Sequence, residues 1–323
     1  MHRNQFIKTI LGTSILASLD SFSTFSQPIS NTMKEQQHSE RFATFGAIHL
    51  NITNLEKTTQ FWTKIAGLKL RKTNDKSAEF GSESQTLVVV HETAKTNFQK
   101  GYSGLYHFAI HLPNKAAFAS IMYRLIALKY PHSPVDHTMS KSIYLDDPDG
   151  INIEFTLETP ERFKRIVAEG GLRIEGSDGK VRSASDYLNV NEVMAELEDK
   201  DINKTISNDS YIGHLHLYAN NVANSNTFFQ NIGFNSFNYL PQFMYADLGA
   251  GGAYQHRIAL NSWHGMNRPL APSESAGLKN FHINFTSKEK LNKALQGVSS
   301  YEETESGFWI NDPTGNKILL TNS

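Results

Sequence analysis

Two stretches of this chain are copies of one another. SIYLDDPDGINIEF, Ser142 to Phe155, returns near the C-terminus as GFWINDPTGNKILL, Gly307 to Leu320. The Asp-Pro turns superimpose, Asp147 on Asp312. Seven residues on, the first copy has Glu154 and the second has Leu319. A duplicated strand-turn-strand piece constrains the fold strongly, because the rest of each repeat must close around the same pattern.

Self-comparison extends the repeat to four units of roughly 50 residues. They run from about Phe45 to His91, Leu105 to Leu157, Tyr211 to Asn261 and Leu278 to Thr321. The first and third open alike, GAIHLNITNLEKTTQFWTKIAGL against GHLHLYANNVANSNTFFQNIGF. The second and fourth also match, GLYHFAIHL against GLKNFHINF. Each unit reads as an alternating strand, a helix with aromatics on its inner face (Phe61 and Trp62; Phe228 and Phe229), a glycine stop at Gly67 or Gly233, then about three strands. The fold class expected is α+β: four βαβββ modules forming two half-open, barrel-like domains. The boundaries expected are 41–158 for the first domain, 159–209 for a helical connector marked by NEVMAELEDKD, and 210–323 for the second.

The twins differ where chemistry could sit. His107 on the second unit's first strand is replaced by Asn280 in the fourth. His214 in the third is replaced by Ala47 in the first, and Glu154 by Leu319. Two imidazoles and one carboxylate leave positions open on a divalent ion, the donor set of a non-haem Fe(II) that reacts with oxygen. Glu154 lies between Ile153 and Phe155, and a buried carboxylate is costly unless paired or metal-bound. The chain has no cysteine, so any metal is held by His, Asp or Glu, and 13 histidines supply the imidazoles.

Further candidates surround this set. Tyr144 enters the Asp-Pro turn ten residues before Glu154, where the fourth unit has Trp309. His256 lies in AYQHRIALNSW, where the third unit's last strand begins. His137, in PVDHTMSKSIYL, and His111 are the residues expected to face a substrate. His49 and His216 are twins, consistent with a shared packing role, and His282 reads as structural. Phe108, Phe243 and Trp263 could wall an aromatic ring.

GAIHLNITNLEKTTQFW, GLYHFAIHLP, DHTMSKSIYLDDPDGINIE, GHLHLYANN and AYQHRIALNSW together resemble the vicinal oxygen chelate (glyoxalase/extradiol dioxygenase) superfamily. Within it the chain looks most like the two-domain bacterial catechol 2,3-dioxygenase group, over residues 45 to about 320. The resemblance implies Fe(II), or Mn(II), held by His107, His214 and Glu154, with Tyr144 on the metal-bound substrate oxygen and His256 as acid-base residue. It implies ring cleavage of catechol or a substituted catechol by O₂. The ligands fall on the second and third units, so the middle units should pair across the two halves of the chain. If units pair as first-with-second, His49 takes the place of His214. The same scaffold also serves glyoxalase-like metal-dependent isomerases, thiol transferases and non-enzymatic small-molecule-binding proteins.

A net charge of -1 gives no electrostatic case for nucleic acid or an anionic membrane. The partners expected are a small aromatic diol and O₂; a homo-oligomer is compatible. Residues 1–40 read as a separate segment. Arg3 and Lys8 precede an apolar run, Ile10 to Leu19, then a Ser/Thr-rich stretch to Ser26, resembling a secretory signal. The run is too short to span a bilayer. Export to the periplasm is expected if the segment is a signal, and the cytoplasm if it is a tail.

Overall fold

The computed structural model describes residues 40–322. The signal-like segment read at the N-terminus lies outside them but for its last residue.

The first unit comprises β1 (Ala43–Ile52), α1 (Leu55–Gln60), a π-helical turn (Phe61–Ile65), β2 (Lys69–Asn74), β3 (Ser77–Gly81) and β4 (Thr86–Glu92). The second has β5 (Gly104–His111), α2 (Lys115–Ala127), β6 (Ser133–Asp136), β7 (Ser140–Asp146) and β8 (Asn152–Glu158). Between the halves lie β9 (Phe163–Val167), β10 (Arg173–Gly176), β11 (Val181–Ser183), β12 (Asp186–Tyr187) and α3 (Val190–Met194). The third unit has β13 (Tyr211–Tyr218), α4 (Val222–Asn231), β14 (Asn235–Leu240), β15 (Tyr245–Gly249) and β16 (Ile258–Asn261). The fourth has β17 (Gly277–Phe285), α5 (Lys288–Gln296), β18 (Glu302–Thr304), β19 (Gly307–Asn311) and β20 (Lys317–Asn322). The described residues are thus α+β and mostly sheet, with two large open sheets and no closed barrel among them.

Local chemistry repeats with the units. The unit helices start on Asn54, Asn114, Asn221 and Ser287, whose side chains accept from the backbone N–H three residues on. The first and third end before Gly67 and Gly233, at φ +75° and +104°, backbone that glycine adopts without cost. Trp62 is fully buried between Phe80 of its own unit and Phe108 of the other sheet, at 6.3 and 6.2 Å between ring centroids. Trp62→Ala should cost about 3–5 kcal/mol in a urea unfolding series.

The sheets pair units by their first strands. β1 lies antiparallel to β17 in an eight-stranded sheet, β18-β19-β20-β17-β1-β4-β3-β2. β5 lies antiparallel to β13 in a nine-stranded sheet, β12-β6-β7-β8-β5-β13-β16-β15-β14. Each sheet therefore takes one unit from each half of the chain. The first and fourth units share one sheet; the second and third share the other.

The two Asp-Pro turns brace these sheets against each other's units. Asp147 accepts the backbone N–H groups of Asp149 and Ile151, and Asp149 in turn takes the backbone N–H and hydroxyl of Thr53, just past β1. In the other copy Asp312 takes three backbone N–H groups, and the turn holds Asn220, just past β13, through Thr314 and Pro313. The repeat that is most visible in the sequence is thus a structural staple.

Residues 159–209 differ from the helical connector expected. β9, β10 and β11 form a small sheet, β12 joins the edge of the nine-stranded sheet, and only Val190–Met194 is α-helical. Gly170, Gly171 and Gly179, all at positive φ, turn the chain between short strands. Glu175 ties β10 to Lys164 and Arg165 of β9, so these charges are cross-strand pairs. Among the described residues no helix is long and apolar enough to cross a membrane.

Candidate metal centre

His107 and His214 come from the two central strands of the nine-stranded sheet, and Glu154 from β8 beside β5. In register, His214 faces Ala109, and Ala109 faces Glu154. The small residue between them leaves room for both side chains to converge. Two β-bulges shape the central pair, one at Gly213 and one at Tyr106. The second brings the Tyr106 ring beside that of His107, tilted at 54° with centroids 4.8 Å apart. The twin comparison is also in register. Tyr144 pairs across the strands with Glu154, as Trp309 pairs with Leu319.

Glu154 Oε2 lies 3.0 Å from His107 Nε2 and 3.1 Å from His214 Nε2. All three side chains are buried, and their donor atoms lie within 4.8 Å of one another. The other carboxylate oxygen, Oε1, accepts from the Thr156 hydroxyl at 2.8 Å, which turns Oε2 toward the imidazoles. Burial pushes the Glu154 carboxyl up, but His214 and His107 outweigh it and hold it well below its usual range. Burial pushes His214 well down, so its imidazole is neutral. An ionised carboxylate beside a neutral imidazole is the protonation state that metal ligation requires. The two separations of 3.0 and 3.1 Å from Oε2 to the imidazole nitrogens are short enough for all three atoms to share one ion through bonds of about 2.1 Å. The residues present therefore fit a divalent ion held by two nitrogens and one oxygen.

Two dyads flank this set. Tyr144 sits 5.3 Å from the His107 ring, and its hydroxyl is 2.9 Å from His137 Nε2. His137 Nδ1 donates to the Ala184 carbonyl at 2.6 Å, so the ring is fixed with Nε2 as acceptor from Tyr144. On the other side, His256 lies 4.9 Å from the His214 ring. Its Nδ1 donates to Asp247 Oδ2 at 2.8 Å, a carboxylate also held by the Tyr245 hydroxyl at 2.9 Å and by Asn238 at 2.8 Å. Burial and Asp247 push the Tyr245 hydroxyl well above its usual range, so it stays a donor. Asp247 and Tyr245 went unread in the sequence, since neither breaks the alternation of its strand.

Several expectations change. His111 was expected to face a substrate, but it is fully buried with both ring nitrogens engaged, one by His214 and one by Glu158. It backs the metal centre rather than lining it, because it is four residues along the same strand face from His107. Phe108 points away into the core against Trp62, since strand neighbours alternate. Trp263 does face the centre, 5.6 Å from His216, with its indole N–H on the Phe243 carbonyl. His216, read as packing, sits 5.0 Å from the His107 ring and receives Asn261 at 2.9 Å.

His49 is on the other sheet, so it stands away from Glu154. Its Nδ1 is 3.2 Å from His91 Nε2, and its ring is 4.7 Å from His282. Burial, then His282 and His91, lower His49 to about 3. A histidine lowered in the fold contributes fully above its unfolded value near 6.5, and that contribution is lost as pH falls from there toward 3. His49→Asn should therefore flatten the acid side of the stability profile, by roughly 1 kcal/mol near pH 5 in urea titrations.

The sequence model of the Glyoxalase/Bleomycin resistance protein/Dioxygenase superfamily matches residues 44–155, through the first two units and one residue past Glu154. The catechol-2,3-dioxygenase of Bacillus subtilis strain 168 is 29% identical over 284 residues, covering 85% of this chain and 95% of that protein. Residues 44–155 thus match this superfamily, and the chain as a whole is similar to one of its dioxygenases. Among solved structures, a Bacillus subtilis protein assigned as a dioxygenase superimposes with TM-score 0.53 at 12% identity, covering 86% of this chain and 85% of that one. A variant of glyoxalase I from Zea mays gives TM-score 0.51 at 12% identity, covering 87% and 94%. Likeness at such identities speaks to the fold alone, and the chemistry rests on the site.

Proposed function

We propose that the protein is an extradiol dioxygenase that opens the ring of catechol, or of a substituted catechol, with O₂. The observation that carries this reading is one buried His-His-Glu set flanked by two separate proton-handling dyads. The likeness to a catechol-2,3-dioxygenase along most of both chains supports it.

His107, His214 and Glu154 would hold Fe(II), with Mn(II) the substitute. The ion would supply Lewis acidity and open positions for a chelating diol and for O₂. Tyr144, whose own proton points to His137 Nε2, has oxygen lone pairs left to take a hydroxyl proton from the diol. That proton passes on to His137, whose Nδ1 stays locked on Ala184. His256 presents Nε2 to the opposite side and delivers a proton there, while Asp247 stabilises the imidazolium. Trp263 and Tyr106 exclude water beside His216.

Protein purified anaerobically and loaded with Fe(II) is expected to consume one O₂ per catechol and to turn the solution yellow, while Zn(II)-loaded protein stays inactive. No O₂ uptake with Fe(II) or Mn(II) across a panel of catechols would sink the assignment. So would turnover of a hemithioacetal with Zn(II) or Ni(II) instead.

A further inference from the structure

Behind His214 runs a second line of buried groups that the proposed chemistry does not use. His214 Nδ1 is 2.7 Å from His111 Nε2, and His111 Nδ1 is 2.7 Å from Glu158 Oε1. The same Glu158 oxygen receives the Tyr211 hydroxyl at 2.7 Å and Arg257 at 2.7 Å. Arg257 is itself buried and also bonds the Gly213 carbonyl at 3.1 Å. We propose that Glu158 and His111 are positioning residues that commit His214 to one tautomer, with its Nε2 lone pair turned to the metal centre. This rests on the metal reading above.

The argument is one of donors and acceptors. Glu158 Oε1 already takes two donors and can only accept from His111. His111 therefore carries its proton on Nδ1 and has a lone pair on Nε2. That lone pair can only accept, so His214 must carry its proton on Nδ1. Nε2 of His214 is then left without a proton, 3.1 Å from Glu154 Oε2. Without Glu158 the opposite order would be the better bonded one: His214 would place its proton on Nε2 and donate to Glu154. In that state a metal would first have to displace a proton. The carboxylate thus settles a choice that Glu154 alone would settle the wrong way. Partners behind a ligating imidazole orient the ring and raise its basicity.

The fold makes room for this line deliberately. A Cβ on Gly213 would lie 2.0 Å from the His111 ring, so only glycine at the bulge lets that ring reach His214. Arg257 balances the Glu158 charge, so the row is neutral as a whole.

The direct test needs no variant. In ¹⁵N-histidine-labelled, metal-free protein, His214 should show a protonated Nδ1 and a bare Nε2, with coupling across to His111 Nε2. A proton on His214 Nε2 would overturn the proposal. Two variants extend it. Glu158→Gln keeps the three hydrogen bonds but removes the charge, and His111→Phe removes the link. Each is expected to lower affinity for Fe(II) or Co(II), read against a competing chelator, by about 10–100-fold. His111→Phe should also move the His214 proton to Nε2. Affinities within twofold of the parent, with an unchanged tautomer, would refute the relay. A parent that binds neither ion would instead refute the metal reading, and the tautomer measurement would still decide the relay.

Discussion

Glu154→Ala is expected to yield folded protein that retains no stoichiometric iron and cleaves no ring. Lewis acidity is worth several kcal/mol at such a site, so the fall in kcat/KM should be on the order of 10³-fold or more. The carboxylate is the only anionic group among the three donors, and both imidazoles converge on its Oε2. Its loss leaves two neutral nitrogens to hold a divalent ion. A structural role predicts a different result. If Glu154 served only to hold His107 and His214 in place, the variant would unfold at lower urea while still taking up metal. Metal content by elemental analysis and a urea titration of the metal-free protein separate the two. Stoichiometric iron in Glu154→Ala would remove that residue from the ligand set.

His256→Ala should do the reverse, keeping iron and losing rate. General acid-base contributions run to about 10²–10⁴-fold, and a loss of that size in kcat is expected with metal content unchanged. The dyad makes a finer claim. Asp247 accepts from His256 Nδ1 and so leaves Nε2 to face the centre. Asp247→Asn can donate to Nδ1 and reverse the tautomer, so it should cost a large part of the same factor although it touches no substrate. Tyr245→Phe removes only one of the supports of Asp247 and should cost about tenfold or less. A His256→Ala variant at full rate would remove that residue from the mechanism, and Asp247 with it.

Much of this protein is legible in its sequence because it is repetitive. Periodicity of two and of about four, with asparagine and glycine at helix ends, is local chemistry, and comparing twins averages out the noise in each copy. That is how His107, Glu154 and His214 stand out against Asn280, Leu319 and Ala47, and why all three fall on one face once the strands are aligned. Glu158 was equally within reach, since Glu154, Thr156 and Glu158 alternate on one side of β8. A single carboxylate at a strand end has no twin to contrast with, so the repeat comparison does not single it out. The connector misled for the opposite reason. Its charges have helical spacing, but glycines at positive φ break it into short strands whose pairing is decided by neighbours.

The sequence by itself determined the βαβββ unit, its fourfold repetition and the donor types available, because these depend on residues close together in the chain. Only the tertiary structure decided which units share a sheet. That choice turns on how two first strands meet edge to edge and on which hydrophobic faces cover each other, contacts between residues more than a hundred positions apart, such as His107 and His216. It placed His214 rather than His49 beside Glu154, and it sent His111 behind the centre instead of into it. A one-dimensional pattern can say that a histidine points to one face of a strand. Whether that face meets a carboxylate, another imidazole or solvent depends on the strand laid beside it.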